Sequence, residues 1–359
     1  MKKVNLARAT DARQMTLQAL QGIDGSFFRG KSVLVKPDAA YVLEAKSSRV
    51  TNPLVVGALL DWLRENGATE LAIGESPALG VRAADAFAAS CLADLAAEKN
   101  ARLLDFDGGA HVALPVQDGQ RSFLVATAAL NDYDCLVSLP VWRPAPFPLS
   151  LMNLRGLMWR AQKLAFYGRY APGISPEQAG VEQAFSDLSR CVRADLTVID
   201  GSFSMRCKDE GLVLATVDSG AADQVAACFV CQDCTACSEI VCEPSAALGW
   251  ASDFSCQVHE PAGGPKITLT NMQGCSSCLL AVYNFLDRYY PRIDSQKALD
   301  FFIGFGKGQG PEGCFYVGSC GGQLYRSGNG VRVAGCPPQP RQIAEALGLE
   351  GLESEVTTR

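Results

Sequence analysis

The sequence predicts an α/β fold: a mainly parallel sheet with helices on both faces, followed by a smaller α/β module rich in cysteine. Three observations predict it. Short apolar runs alternate with amphipathic stretches through about the first 225 residues. Those runs end in polar turns, as strands of βαβ units do. The cysteines are also unevenly spread. Of 15 in 359 residues, Cys91, Cys135, Cys191 and Cys207 are scattered, and the other eleven fall between positions 228 and 336.

The elements follow in order. "KSVLVKPD" (31–38) is a strand ending in a turn. "NPLVVGALLDWLRENGA" (52–68) has apolar residues at helical spacing, with Gly67 placed to stop the helix. "ELAIGESP" (70–77) is a buried strand, and "AADAFAASCLADLAAEK" (83–99) has the composition of one helix. "DCLVSLPV" (134–141) and "ADLTVIDGS" (194–202) repeat the strand-and-turn pattern. In such sheets ligands sit beyond the carboxyl ends of the strands. Lys36, Asp38, Glu75, Arg143 and Asp200 lie at those ends and are the candidate residues for a small anionic substrate. Turn chemistry alone also places polar residues there.

Composition narrows the function classes. Hydrophobic residues make up 48% and charged residues 19%, enough for a packed core. The net charge of −6, with no basic run, argues against a nucleic-acid binder. No signal-peptide core and no spanning run of ~18 to 20 apolar residues is present, so a cytoplasmic protein without direct membrane insertion is expected. Neither a G-x-G-x-x-G after the first strand nor a phosphate-binding G-x-x-x-x-G-K-[ST] occurs. "GFGKGQGPEG" (304–313) reads as a connection. There are two histidines, which disfavours His-rich metal sites. Clustered thiols in a reducing compartment point to metal or catalysis rather than to a disulfide framework.

Residues 3 to 227 resemble an uncharacterised family, domain of unknown function 362. The resemblance rests on "VLVKPD" (33–38), "TNPLVVGALLDWLRENGA" (51–68), "MNLRG" (152–156), "ADLTVIDG" (194–201) and "VDSGAAD" (217–223), in that order. It departs at Asp38, where the family has Asn, and at Arg143–Ala145 and Met152–Asn153, where the family has other polar elements. The resemblance implies a fold and, since members often carry iron–sulfur modules, a redox context.

The last third reads as strands that end in cysteine. "KITLTNM" (266–272) runs into Gly274, Cys275 and Cys278, then a helix; "GCFYVGSCGG" (313–322) ends in Cys320; "GVRVAGCPP" (330–338) ends in Cys336 before another helix. In a parallel sheet those ends share one edge, so Cys275, Cys278, Cys320 and Cys336 can converge. Four thiolates suit a [4Fe–4S] cluster or zinc. The segment is similar to the small subunit of nickel–iron hydrogenases and to the cluster subunit of respiratory complex I, which share these three elements. The similarity implies a [4Fe–4S] cluster on those four residues. Cys314 is an extra thiol, read as packing.

The densest run is "CFVCQDCTACSEIVC" (228–242). A helical stripe of small core residues, a structural zinc site and an iron–sulfur loop all compete for it. "CQDCTACSEIVCEP" (231–244) resembles the bacterial ferredoxin run, with one extra residue before Cys242. Cys231, Cys234 and Cys237 are the first ligands; the fourth is Cys242, Cys228 or Cys256.

The expected organisation is an α/β domain (1–227), a ferredoxin-like insert (228–260) and a hydrogenase-small-subunit-like iron–sulfur module (261–359). The expected function is a cytoplasmic iron–sulfur protein with two [4Fe–4S] clusters that pass single electrons, either to a redox protein partner (a ferredoxin or an oxidoreductase subunit) or to a site on the α/β domain. Two alternatives stand beside it: a cluster-dependent reductase of a small anionic substrate, and a zinc-stabilised scaffold. A homo-oligomer is compatible with each.

Overall fold

The computed structural model describes residues 2–77, 81–117, 119, 123–143, 148–158, 181–231, 237–256, 266–272, 278, 281–282, 285–286, 289, 292–294, 297–304, 312–321, 325, 330–335 and 338–349; within these, the side chains of 181–184, 231, 255–256, 266–272, 304 and 320–321 lie outside the description. The chain divides into two compact units, Met1–Arg160 with Asp187–His259, and Ala161–Ser186 with Glu260–Arg359. Cys228, Cys237 and Cys242 of the cysteine run therefore belong to the unit of the large sheet.

In the first unit, β1 (Lys2–Ala9), α1 (Ala12–Leu20), β2 (Ser32–Pro37), α2 (Pro53–Glu65), β3 (Glu70–Glu75), α3 (Ala83–Ala89), α4 (Leu92–Glu98) and β4 (Arg102–Asp105) come first. A hairpin of β5 (His111–Pro115) and β6 (Phe123–Thr127), α5 (Ala129–Asp132), β7 (Cys135–Leu139) and α6 (Leu149–Leu154) follow. Then come α7 (Val181–Cys191), of which Asp187–Cys191 belongs to this unit, β8 (Leu196–Gly201), β9 (Met205–Arg206), β10 (Gly211–Thr216), α8 (Ser219–Cys231), β11 (Ile240–Glu243) and β12 (Ser255–Cys256). Eight strands form one sheet in the order β11-β1-β10-β8-β7-β2-β3-β4. It is mostly parallel. Only β10 runs against its neighbours, β1 and β8.

Both faces of this sheet are covered, because successive strand residues point to opposite sides. Val213 and Ala215 of β10 join the core beneath α1 to α4, whereas Leu212 and Leu214 join the core beneath α6 and α8. Strands β1, β10 and β11 and the hairpin were not read from sequence. The amino-terminal twenty residues are thus a strand and a helix, α1, whose first turn is capped by Asp11 accepting from the Gln14 amide.

The single helix expected over 83–99 is a correction: the chain makes two. Ser90 turns its hydroxyl back onto the Ala86 and Phe87 carbonyls at 2.7 and 3.2 Å, and Cys91 takes a left-handed φ of 58°. These local bonds end α3 before α4 begins.

The second unit holds an all-parallel sheet in the order β13-β14-β15-β16, formed by Lys266–Met272, Ala298–Gly304, Cys314–Val317 and Gly330–Val333. Strand β14 was not read from sequence; it inserts between the first two expected strands. Positions 278, 281, 282, 285, 286 and 289 are helical, and their side chains pack with Leu299, Phe301 and Val317 in the core of this unit. Strand β15 stops at Val317, short of Cys320. Gly318, at φ 83°, turns the chain into α9 (Gly318–Gly321). Helix α10 (Pro340–Ala346) starts with a capping box between Gln339 and Gln342. No helix among the described residues is long and apolar enough to cross a membrane.

Candidate functional site

Parallel register brings the carboxyl ends of β2, β3, β7 and β8 to one edge of the large sheet. Four predicted residues meet there. The Lys36 ammonium lies 2.8 Å from each Glu75 carboxylate oxygen and 2.8 Å from the Pro37 carbonyl, with both side chains 2% exposed. The ammonium donates to the Pro37 carbonyl and to Glu75 Oε2 and faces Oε1 in the same ion pair, so the charges taken out of water are paired. Glu75 also accepts from the Ala39 and Ser76 amides. Gly156 closes over the pair: a Cβ there would fall 2.4 Å from Lys36 Cε and 2.7 Å from Glu75 Oε1.

Asp38 and Asp200 form the other half. Asp38 accepts from Asn153 Nδ2 at 2.7 Å and from the Val141 amide at 3.0 Å, and its own amide donates to Thr51 Oγ1. Asp200 accepts from the Asn52 and Ser202 amides. Burial pushes the Asp200 carboxyl above the ordinary carboxylate range; those donors oppose the shift and the Asp38 charge adds to it. Asn52 is at once the N-cap of α2, with Pro53 next to it, and a donor to Ser202 Oγ. The polar partners Thr51, Asn52, Ser138, Asn153 and Ser202 went unread as site residues. Only "TNP" (51–53), a helix-start signature, carried a signal.

Arg143 stands on the wall of a cavity that none of these four lines. The cavity, of about 950 Å³, lies between α6 and α8 and is also lined by Arg193, Ser150 and Asp223. Asp223 accepts from the Ser150 amide at 2.9 Å and from its hydroxyl, so a carboxylate on α8 caps the start of α6. Burial pushes Asp223 up to about 6, against these hydrogen bonds.

The cysteine run begins on helix α8, which carries Cys228 and Cys231. Cys228 is buried and disulfide-bonded. Cys237 and Cys242 are buried with it in one apolar core, Cys242 on the edge strand β11 opposite Val4. Burial, with help from Cys237, pushes the Cys242 thiol up to about 11. Cys234 and the side chains of Cys231 and Cys256 lie outside the described residues.

In the second unit Cys278 is buried in the core. A Cβ on Gly318 would lie 2.5 Å from its Sγ and 3.6 Å from the Gly335 carbonyl. Ser319 donates to that same carbonyl from its amide at 2.7 Å and its hydroxyl at 3.1 Å. The Cys278 sulfur, the end of β15 and the turn after β16 therefore meet within a few bonds. Gly318 is two residues before Cys320, and Gly335 is next to Cys336. Cys275 and Cys336, and the Cys320 side chain, lie outside the described residues. Cys314 packs with Phe302 and Tyr316 in a small apolar cluster. Among the described residues no group of three or more His, Cys, Asp or Glu could hold a metal ion; five of the eight predicted ligands have side chains beyond them.

Residues 33–228 match the family described as "Domain of unknown function (DUF362)", more than half of the chain. No curated protein matches the chain.

Proposed function

The chain belongs to the domain of unknown function 362 family, and from that premise we propose that it is a cytoplasmic iron–sulfur redox protein carrying two [4Fe–4S] clusters, working with a redox protein partner. The family supplies no reaction, so the reading stands on the cysteines. The observation that carries it is the cradle around Cys278. A glycine at φ 83° leaves room beside a buried sulfur, and the chain segments bearing Cys320 and Cys336 are tied together there through Ser319 and Gly335. A bulky cluster with sulfur ligands needs such backbone approach, and glycine permits it.

Cys275, Cys278, Cys320 and Cys336 would hold one cluster; Cys231, Cys234, Cys237 and Cys242 would hold the other. Bound clusters supply one-electron transfer. The protein's own part is to keep the sulfurs dry: Cys237, Cys242 and Cys278 are each 5% exposed or less. Burial of this kind tunes the potential of a bound cluster. A second reading, a reductase of a small anionic substrate, is favoured by the arginine-lined cavity beside α8, the helix that leads into the cysteine run.

Iron and acid-labile sulfide analysis of anaerobically purified protein tests the proposal. About eight iron atoms per chain and a brown colour with absorbance near 400 nm are expected. Fewer than about four iron atoms, or a colourless zinc protein, would overturn it.

A further inference from the structure

Cys228, Cys231, Cys234, Cys237, Cys242 and Cys256 compete for the four places of the first cluster. Cys228, buried on α8, is disulfide-bonded. Eight cysteines among the described residues carry free thiols, Cys237, Cys242 and Cys278 among them, so none of these is its partner. We propose that the bond runs to Cys256. It is a reversible disulfide between α8 and β12, and it leaves Cys231, Cys234, Cys237 and Cys242 as the thiols of the first cluster.

Strand β12 packs against α8. Just before β12, the ring of Phe254 meets that of Phe229, the residue after Cys228, with centroids 6.5 Å apart. Cys256 is paired across the β9–β12 ladder with Met205, and Met205 is buried in the same apolar core as Cys228. Residues directly opposite in an antiparallel ladder share a face, so position 256 falls on the face that meets this core. Trp142 donates from Nε1 to the Ala226 carbonyl at 3.0 Å and holds the turn of α8 that bears Cys228. Cys231 is less suited as the partner. Three residues along a helix, Cβ atoms stand about 5–6 Å apart, beyond the ~3.5–4.5 Å of a disulfide. Cys275, Cys320 and Cys336 belong to the other unit.

Closing the bond takes two electrons and two protons from the two thiols. A small disulfide oxidant accepts them by thiol–disulfide exchange and leaves as two thiols; a dithiol reverses the step. The closed bond ties residues 228 to 256 into a loop that contains all four proposed ligands, which narrows the conformations open to them. The ligand assignment rests on the cluster reading, whereas the crosslink does not.

Peptide mapping of the full chain by mass spectrometry tests this, on protein equilibrated with oxidised glutathione and alkylated without reductant. The peptides bearing Cys228 and Cys256 should be joined, and dithiothreitol should part them. The double variant Cys228→Ala with Cys256→Ala, purified anaerobically, should keep about eight iron atoms, because neither residue is a ligand. Its urea midpoint should fall about 0.5–1 M below that of the oxidised wild type, and the reduced wild type should fall with it. A bond from Cys228 to Cys231 or Cys234, no bond at all, or loss of about half of the iron in the double variant would overturn the proposal. A wild type without iron sinks the cluster reading and the ligand assignment, while the peptide map still decides the crosslink.

Discussion

Lys36 and Glu75 sit 39 positions apart in the chain and share one dry pocket under Gly156. Removing either charge strands the other. Lys36→Met or Glu75→Gln should each cost about 3–5 kcal/mol, and the double variant less than the sum, as chemical denaturation would show. Gly156→Ala pushes a methyl into the ammonium stem and should cost about 1–3 kcal/mol by the same measurement. Asp223 gives a pH signature. Its carboxyl titrates at about 6 in the fold against 3.8 when free. A raised acid favours the folded state while protonated, so its contribution is complete below pH 3.8 and is lost as pH rises through about 6. Relative to Asp223→Asn, the wild type should lose up to about 3 kcal/mol across that window, read from urea midpoints at each pH.

At the level of elements, the helix break at Cys91 and the turn at Gly318 carry the clearest consequences. Cys91 holds a left-handed conformation that a side chain disfavours, between α3 and α4. Cys91→Gly should therefore stabilise by about 0.5–1 kcal/mol, visible as a higher melting temperature. Gly318→Ala meets two obstacles, its φ of 83° and the Cys278 sulfur 2.5 Å from the new methyl. It should drop the iron content toward half. Gly313→Ala has a similar φ, 76°, but open space around it, and should leave iron content near wild type. Equal losses in the two would trace the effect to backbone strain rather than to crowding of the sulfur.

For the whole molecule, the two cysteine sets belong to separate units of the chain, 237 and 242 to the first and 278 to the second. Cys278→Ser and Cys237→Ser should therefore each remove about half of the iron, and the pair nearly all of it, with far-UV circular dichroism unchanged. A single substitution that empties the protein of iron would mean one shared site.

The sequence by itself determined the α/β class, the strands over 32–37, 70–75, 135–139 and 196–201, the helix after Asn52, and the grouping of thiols. Those follow from local period and from turn residues, which need no partner to be read. It also singled out Lys36, Asp38, Glu75 and Asp200, because strand ends in a parallel sheet share an edge. Tertiary structure alone decided that β10 runs antiparallel, that β14 enters between β13 and β15, and that β11 carries Cys242 on the sheet edge. It alone matched Lys36 to Glu75 and put Arg143 on a cavity wall with Arg193 and Asp223. Such pairings depend on residues far apart in the chain, and the free energy of matching them appears only when the sheet has assembled.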